Sequence, residues 1–341
     1  MEGFWLSWFP VGSWLFPGGK SNTELSPKTR CQQDVGRQDE GNMKWKSLAR
    51  LVPATSILFA LRSKGAPVRV DAVTPAGFGI AVQCWSFREF TLFEAMEMAA
   101  LAGAGGVEFY PGQKIGGAHG NTKFEVGMDG GLVDAVLEKL GECGLKAWNF
   151  GICPVPADME KAREVFGLAK RMGLYGITTE SLESIDTLEK LAIEFDIKVC
   201  FHNHPRPTKL WNPDTILKAI EGRHRNLGLC ADLGHWASSG LDTLEAVKKA
   251  APRIHSFHMK DREKALEWSH DRPFGTGVID ISSILDEVRK HGFAGNVSIE
   301  YEHNWKTNLA EIAQCAGFLR GYARSDRLGK ICGGPAMDVS P

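Results

Sequence analysis

Five ionisable side chains lie at or near the ends of consecutive short apolar runs in the middle and C-terminal parts of the sequence. They are Glu180, His202, Asp232, His258 and Glu300. Ionisable groups that converge in a protein interior need compensation, and a bound cation is an economical one. Carboxylates and imidazoles suit divalent transition metals. The pattern predicts one divalent ion, whose identity stays open among Mn²⁺, Co²⁺, Zn²⁺ and Mg²⁺.

The elements that carry these residues repeat along the chain after Ala76. Strands are predicted at 79–86, 106–110, 145–151, 175–180, 198–204, 227–232, 254–260 and 297–302. Amphipathic helices are predicted between them, including 159–172, 242–251, 282–291 and 308–322. Eight β-α units predict the α/β class and a (β/α)8 TIM barrel over residues 78–322. An open doubly wound sheet is the alternative, but the glycine fingerprint that usually follows its first strand is missing from this sequence.

Strand parity indicates which side chains point into the barrel, because alternate residues face the interior and the helices. In the last strand Ser298, Glu300 and Glu302 alternate with apolar residues, and His258 and Lys260 do so in the strand before it. The apolar sets must face the helices. The polar sets are therefore expected to converge at the C-terminal strand ends, where barrel active sites lie. Glu108 shares this parity and is expected to support the site by hydrogen bonding.

Residues 1–77 are predicted to be an N-terminal extension outside the barrel, and residues 323–341 a C-terminal tail. Residues 1–42 lack hydrophobic periodicity, which is compatible with disorder. Residues 43–72 resemble an export signal, with a basic start at Met43, an apolar run and a small residue at Ala72. Arg62, Lys64 and Arg69 are unusual in such a signal, so an unstructured extension is the alternative. The location stays open between cytoplasm and export.

Composition argues against several partner classes. The chain has 341 residues, 40 basic and 41 acidic, with a net charge of −1. This balance does not favour nucleic acid or a membrane surface, and no apolar run is long enough for a membrane span. The eight cysteines include no CxxC pair and do not form a recognisable disulfide framework. A small-molecule partner is expected, and a homo-oligomer is left open.

Five segments carry a resemblance to a known family: FHNHP, CADLGHW, HSFHMKD, HDRPFGTGVID and VSIEYEHNW. Their order and spacing resemble the xylose isomerase-like TIM barrel superfamily, the sugar phosphate isomerase/epimerase family, over roughly 78–320. The resemblance to its ketose epimerases implies that Asp232, His258 and Glu300 bind metal and that His235 contacts substrate. The first glutamate of those enzymes aligns with His202, and Glu180 is the candidate for the missing carboxylate.

The resemblance to endonuclease IV is partial, in several histidines, and this chain lacks the basic surplus expected for DNA binding. Proton removal beside a carbonyl needs a Lewis acid and a group that moves the proton. We therefore expect a metal-dependent isomerase or epimerase of a sugar or sugar derivative, with Glu180, Glu300 and His202 as catalytic candidates. The alternatives are a 3-keto-glycoside lyase that uses the same enediolate chemistry and a sugar-binding barrel without turnover.

The expected substrate contacts lie in or after the same strand ends. They are Trp85, His204, His235, Trp236, Lys260, His270, Asp271 and Glu302. Trp236 is the leading aromatic candidate, because aromatic faces pack against the C–H face of a sugar ring. The long segment 261–277 is expected to fold over the substrate and deliver His270 or Asp271. Lys260 and Arg272 could hold a phosphate, so phosphorylation of the substrate stays open.

Overall fold

The computed structural model describes residues 70–331, and side chains as far as residue 325. The disorder predicted for residues 1–42 lies outside the described residues, as do residues 43–69 of the predicted export signal and the end of the C-terminal tail. Within residues 70–331, no helix combines the length and the apolar character needed to cross a bilayer.

Eight parallel strands close into a barrel, which confirms the predicted (β/α)8 fold. The strands are β1 (Gly79–Gln83), β2 (Gly106–Phe109), β3 (Lys146–Phe150), β4 (Gly176–Thr179), β5 (Lys198–His202), β6 (Leu227–Asp232), β7 (Ile254–Met259) and β8 (Asn296–Ile299). Each strand pairs with the next in chain order, and β1 closes the ring on β8 with Gly79 opposite Asn296. All eight C-terminal strand ends therefore meet at one end of the barrel.

Nine helices follow or connect these strands within the described part of the chain. They are α1 (Leu92–Ala102), α2 (Gly130–Cys143), α3 (Met159–Arg171), α4 (Ile185–Phe195), α5 (Pro213–Ala219), α6 (Leu233–Ser238), α7 (Thr243–Ala250), α8 (Ile281–Lys290) and α9 (Leu309–Ile331). Side-chain caps define several starts: Thr91 and Glu94 form a reciprocal capping box, and Asp158 accepts from the N–H of Lys161. The predicted helix starts agree with these bounds to within one residue.

The interior of the barrel is polar where the sequence parity predicts it. Glu108 on β2 accepts hydrogen bonds from Thr178 on β4 and Ser298 on β8, each at 2.6 Å. Neither partner strand is a neighbour of β2 in the sheet. These bonds can therefore form only across the interior of the barrel. The alternate residues, such as Val199 and Phe257, are fully buried and belong to one apolar cluster with helix residues.

The loop after β7 has defined structure. Asp261–Arg262 pairs antiparallel with Asp271–Arg272. The carboxylate of Asp261 accepts the backbone N–H groups of Gly275, Gly277 and Ile279 at 2.9 to 3.0 Å. Glycine is required at 277, because a Cβ there would lie 2.1 Å from Oδ1 of Asp261. One buried side chain thus fixes both the ladder and the return of the chain towards α8.

We expect Asp261→Ala to destabilise the protein by about 2–3 kcal/mol, because three backbone donors lose their acceptor. The measurement is urea unfolding, followed by circular dichroism. Asp134→Ala is the matched control, since Asp134 is a largely exposed partner of Arg171 and its loss should change little. Equal unfolding midpoints for the two variants would show that the loop does not depend on Asp261.

Candidate functional site

Four of the predicted metal-site residues converge at the C-terminal end of the barrel. His202 ends β5, Asp232 ends β6, His258 lies on β7 and Glu300 follows β8. One ligand atom from each lies within 4.8 Å of the corresponding atoms of the others. All four residues are buried. We call them the central cluster.

Each histidine of the central cluster is held by a carboxylate on one ring nitrogen and leaves the other unpartnered. Nδ1 of His202 lies 2.9 Å from Oε1 of Glu180, and Nε2 of His258 lies 3.0 Å from Oε1 of Glu108. The opposite nitrogens, Nε2 of His202 and Nδ1 of His258, are buried without a hydrogen bond. They lie 3.5 Å from Oδ2 of Asp232 and 3.1 Å from Oε2 of Glu300.

This arrangement fits a divalent ion, because metal-binding histidines commonly use the second ring nitrogen to bind a carboxylate. Two unpartnered buried nitrogens and two carboxylates also form a donor set that suits Mn²⁺, Co²⁺ or Zn²⁺. Burial by itself lowers the pKa of His258, but neighbouring acidic groups, including Glu108 and Glu300, raise it well above its ordinary value.

Glu180 lies behind His202 and outside the central cluster. Its Oε1 is 2.9 Å from Nδ1 of His202 and 2.5 Å from Nδ1 of His204. Burial favours a raised pKa for Glu180, but the two histidines outweigh it and hold the pKa well below its usual range. The sequence predicts that Glu180 or His202 completes a ligand set of Asp232, His258 and Glu300, and the structure brings His202 to the cluster. Glu180 is placed to orient His202 and forms a second group with the two histidines.

Lys260, a predicted substrate contact, lies deep in the site. Its ammonium is fully buried, and Nζ lies 2.5 Å from both Oδ2 of Asp232 and Oε2 of Glu300. Burial lowers the pKa of Lys260, but the carboxylates reverse this effect and raise it above its ordinary value. Burial by itself raises the pKa values of Asp232 and Glu300, because it opposes their ionisation. Their cationic neighbours outweigh this effect and lower both pKa values.

His235, a predicted substrate contact, is buried and holds Asp232 in place. Its backbone N–H donates to Oδ1 of Asp232 at 2.9 Å, and its Nδ1 lies 2.8 Å from the carbonyl oxygen of Asn203. The side chain of Asn203 binds the backbone N–H and carbonyl of Asp232 at 2.9 and 3.0 Å. His235 and Asn203 therefore fix the end of β6.

The two aromatic side chains predicted to contact the substrate, Trp236 and Trp85, differ in their exposure. Trp236 is fully buried in the apolar cluster, at odds with substrate contact, because α6 begins directly after β6 and turns this side chain into the core. Trp85 is partly exposed beside Tyr110, with ring centroids 5.1 Å apart. It also lies 6.4 Å from Trp305. These three rings follow β1, β2 and β8 and form one aromatic group, in which Trp85 remains a candidate sugar contact.

The two substrate contacts predicted in the loop after β7, His270 and Asp271, lie in different environments. His270 is exposed and stacks on His303, with centroids 4.1 Å apart. Asp271 is buried, and its Oδ2 accepts the backbone N–H of Glu302 at 2.6 Å. Burial raises the pKa of Asp271 to about 7, although Arg262 counteracts part of the effect. Asp271 therefore joins the loop to the end of β8.

Arg262 is a buried residue of the site that the sequence analysis did not single out. Its Nη1 lies 3.0 Å from Oδ1 of Asp271 and donates to the carbonyl oxygen of Ser269 at 3.0 Å. The alternation His258, Lys260, Arg262 continues the strand parity by one step. Extending the parity beyond the predicted strand would have found it.

Comparison with known proteins gives a match to the family model described as "Xylose isomerase-like TIM barrel", over residues 176–322. The matched segment contains the whole central cluster. The rhizopine catabolism protein MocC of Rhizobium meliloti is 28% identical over 181 residues, which cover 44% of this chain and 55% of that protein. Inosose dehydratase of Histophilus somni is 31% identical over 140 residues, which cover 36% of this chain and 47% of that protein. The chain spans about half the length of the curated relatives it matches.

Solved structures share the whole barrel. A protein from Parabacteroides distasonis is 28% identical, with a TM-score of 0.59, over 72% of this chain and 99% of its own. A D-tagatose 3-epimerase-like protein is 16% identical, with a TM-score of 0.58, over 75% of this chain and all of its own. The zinc-containing IolI structure is 17% identical, with a TM-score of 0.53, over 74% of this chain and 99% of its own. Residues 176–322 thus match the xylose isomerase-like TIM barrel model, as the motifs of this segment predict, and the fold shared with the solved structures covers the rest of the barrel.

Proposed function

We propose that this protein is a metal-dependent enzyme that moves a proton beside the carbonyl group of a sugar or sugar derivative, as an isomerase or epimerase. The observation that carries the proposal is the central cluster, with two unpartnered imidazole nitrogens facing two carboxylates. A divalent ion held by His202, Asp232, His258 and Glu300 would supply Lewis-acid stabilisation of the enediolate. Support comes from the ketose epimerases and the zinc-containing IolI among the structures that share the fold.

The residues around the proposed metal site have separate roles in proton transfer, hydrogen bonding and ligand positioning. Glu300 is the candidate base, because Lys260 and His258 keep it ionised against burial. Lys260 can donate a hydrogen bond to a substrate oxygen beside Glu300. His202 was a catalytic candidate from the sequence, but one of its nitrogens faces the cluster and the other binds Glu180. We therefore assign proton transfer to Glu300 and positioning of His202 to Glu180.

Dehydration is the second candidate. Several curated relatives are named inosose dehydratase, each matched over 36% to 42% of this chain. The substitution of His202 for the first glutamate of the ketose epimerases also removes one of their two acid/base groups. In dehydration, the base would take the proton beside the carbonyl, a C=C bond would form, and the hydroxyl at the next carbon would leave with a proton as water. A 3-keto-glycoside lyase would expel an alcohol in the same way.

We expect the full chain to bind one divalent ion when Mn²⁺, Co²⁺ or Zn²⁺ is offered, and Asp232→Ala/His258→Ala to bind none. The double variant loses one carboxylate and one imidazole of the donor set. The measurement is elemental analysis after removal of free metal. His291→Ala is the matched control, because His291 is exposed at the end of α8 and should retain the metal.

Removal of Asp232 also leaves Lys260 with one fewer partner, so circular dichroism must show that the double variant is folded. Asp232→Asn, which keeps the shape of the side chain, replaces it if it is not. Equal metal content in parent and folded variant, or no metal in the parent, would exclude the proposed site.

We expect the metal-loaded protein to exchange the carbon-bound proton beside a substrate carbonyl with D₂O, and Glu300→Gln to lose at least 100-fold in this rate. Proton NMR over a panel of free ketoses, inososes and 3-keto-glycosides measures both exchange and product. A changed stereocentre or a shifted carbonyl indicates epimerisation or isomerisation, and an unsaturated ketone indicates elimination. Sugar binding without exchange anywhere in the panel would favour the non-catalytic barrel.

We expect Glu180→Ala to weaken metal affinity by about 10- to 100-fold and to keep the stoichiometry at one, as for loss of a carboxylate that orients a ligand histidine. Competition with a fluorescent chelator measures the dissociation constant. Glu183→Ala is the matched control, because Glu183 is exposed three residues further along. An unchanged affinity in Glu180→Ala would show that Glu180 does not position His202.

A further inference from the structure

His204 differs from the histidines of the central cluster, because its side chain is partly exposed and one ring nitrogen is free. Its Nδ1 lies 2.5 Å from Oε1 of Glu180, and its side chain is 41% exposed. Within residues 70–331, no hydrogen bond or ion pair engages Nε2 of His204. One nitrogen is therefore oriented by a carboxylate, and the other is available to a bound molecule.

The other basic side chains beside the proposed metal are already engaged. His202 and His258 each use one ring nitrogen for a carboxylate and turn the other towards a carboxylate of the central cluster. His235 is buried, and its Nδ1 lies 2.8 Å from a backbone carbonyl oxygen. The ammonium of Lys260 is buried between two carboxylates. Among these groups, His204 is the one that can exchange a proton with both a substrate and the solvent.

His204 is held close to the central cluster. It follows the end of β5 by two residues, and its ring centroid lies 4.9 Å from that of His202 and 5.0 Å from that of His235. The preceding residue, Asn203, uses its side chain to bind the backbone of Asp232. The ring of His204 is therefore next to the proposed metal ligands, and its free nitrogen is not part of the ligand set.

A carboxylate on one imidazole nitrogen prepares the other nitrogen for proton transfer, because it fixes the ring orientation and the tautomer. Isomerisation of a ketose needs proton transfer at two kinds of atom. One proton moves between two carbons, and Glu300 is the candidate base for it. A second proton must move from the hydroxyl oxygen to the neighbouring carbonyl oxygen. A partly exposed imidazole with one free nitrogen suits this second transfer.

We propose that His204, oriented by Glu180, carries the oxygen-bound proton between the two substrate oxygens during isomerisation. This inference rests on the proposed function, since it adds a second acid–base group to the same reaction. Glu300 removes the proton from carbon while the carbonyl oxygen takes a proton from Nε2 of His204, which gives an enediol. Nε2 then takes the proton of the neighbouring hydroxyl, whose electrons form the new C=O bond. The electrons of the C=C bond take the proton of Glu300 at the former carbonyl carbon, and both residues regain their starting states.

The test follows the metal-loaded full chain with fructose, tagatose, xylulose and ribulose in D₂O by proton NMR. Two rates are measured: exchange of the carbon-bound proton for deuterium, and formation of the aldose. In His204→Ala, aldose formation should fall at least about 100-fold, whereas exchange should change by less than about threefold, since Glu300 handles the carbon-bound proton. Added imidazole should raise aldose formation by His204→Ala about tenfold, because it can replace the lost ring. His204→Gln, which cannot transfer a proton and fills the space, should show the same loss without rescue.

His291→Ala is the matched control, because His291 is exposed at the end of α8 and should keep both rates. Circular dichroism shows whether each variant is folded. Aldose formation at the parental rate in either folded His204 variant would overturn the role of His204, as would an equal loss of both rates without rescue by imidazole. Exchange without aldose formation in the parent would overturn it too, but would retain the proposed proton removal. No exchange in the parent would reject the proposed function and this inference together.

Discussion

The ammonium of Lys260, buried between the carboxylates of Asp232 and Glu300, sets the electrostatics of the whole site. Buried charges are stable only when they are paired. Around this group the other charges form pairs: His258 with Glu108, Arg262 with Asp271, and His204 with Glu180. Asp232, Glu300 and the nearby Glu302 share the single charge of Lys260. Three carboxylates and one ammonium leave two negative charges, which the proposed divalent cation would balance.

The sequence contained most of this site because two simple rules act together. Alternation along a strand determines which side chains enter the barrel, and parallel connections bring all strand ends to the same edge. These rules placed Asp232, His258 and Glu300 correctly relative to one another. They could not separate Glu180 from His202, because both have inward parity. In the structure, the imidazole ring of His202 lies between the two carboxylates. One ring nitrogen faces Asp232 in the central cluster, and the other faces Glu180 outside it.

Strand parity no longer predicts side-chain direction beyond the ends of the strands. Trp236 follows Asp232 by only four residues, but α6 begins at Leu233 and helical geometry turns the indole into the core. Arg262 shows the opposite case. A two-residue ladder extends the strand pattern beyond Met259, so the alternation that placed His258 and Lys260 also places Arg262. Such short ladders depend on a partner segment, here Asp271–Arg272, and a partner nine residues away leaves no local periodicity to detect.

The position of Glu180 bears directly on the stereochemistry of the reaction. The resemblance to ketose epimerases implies two glutamates on opposite faces of the sugar, one to remove the proton and one to return it. Here Glu300 remains in the central cluster, whereas the carboxylate of Glu180 is separated from it by the ring of His202. Glu180 is therefore not placed as the counterpart of Glu300 in the central cluster. Chemistry on a single face of the substrate fits this arrangement better. In isomerisation, Glu300 can return the proton to the neighbouring carbon on the same side. In dehydration, Glu300 can pass the proton to the departing hydroxyl, which leaves as water. Inversion of a stereocentre would require Lys260 or another group to act as the second proton donor.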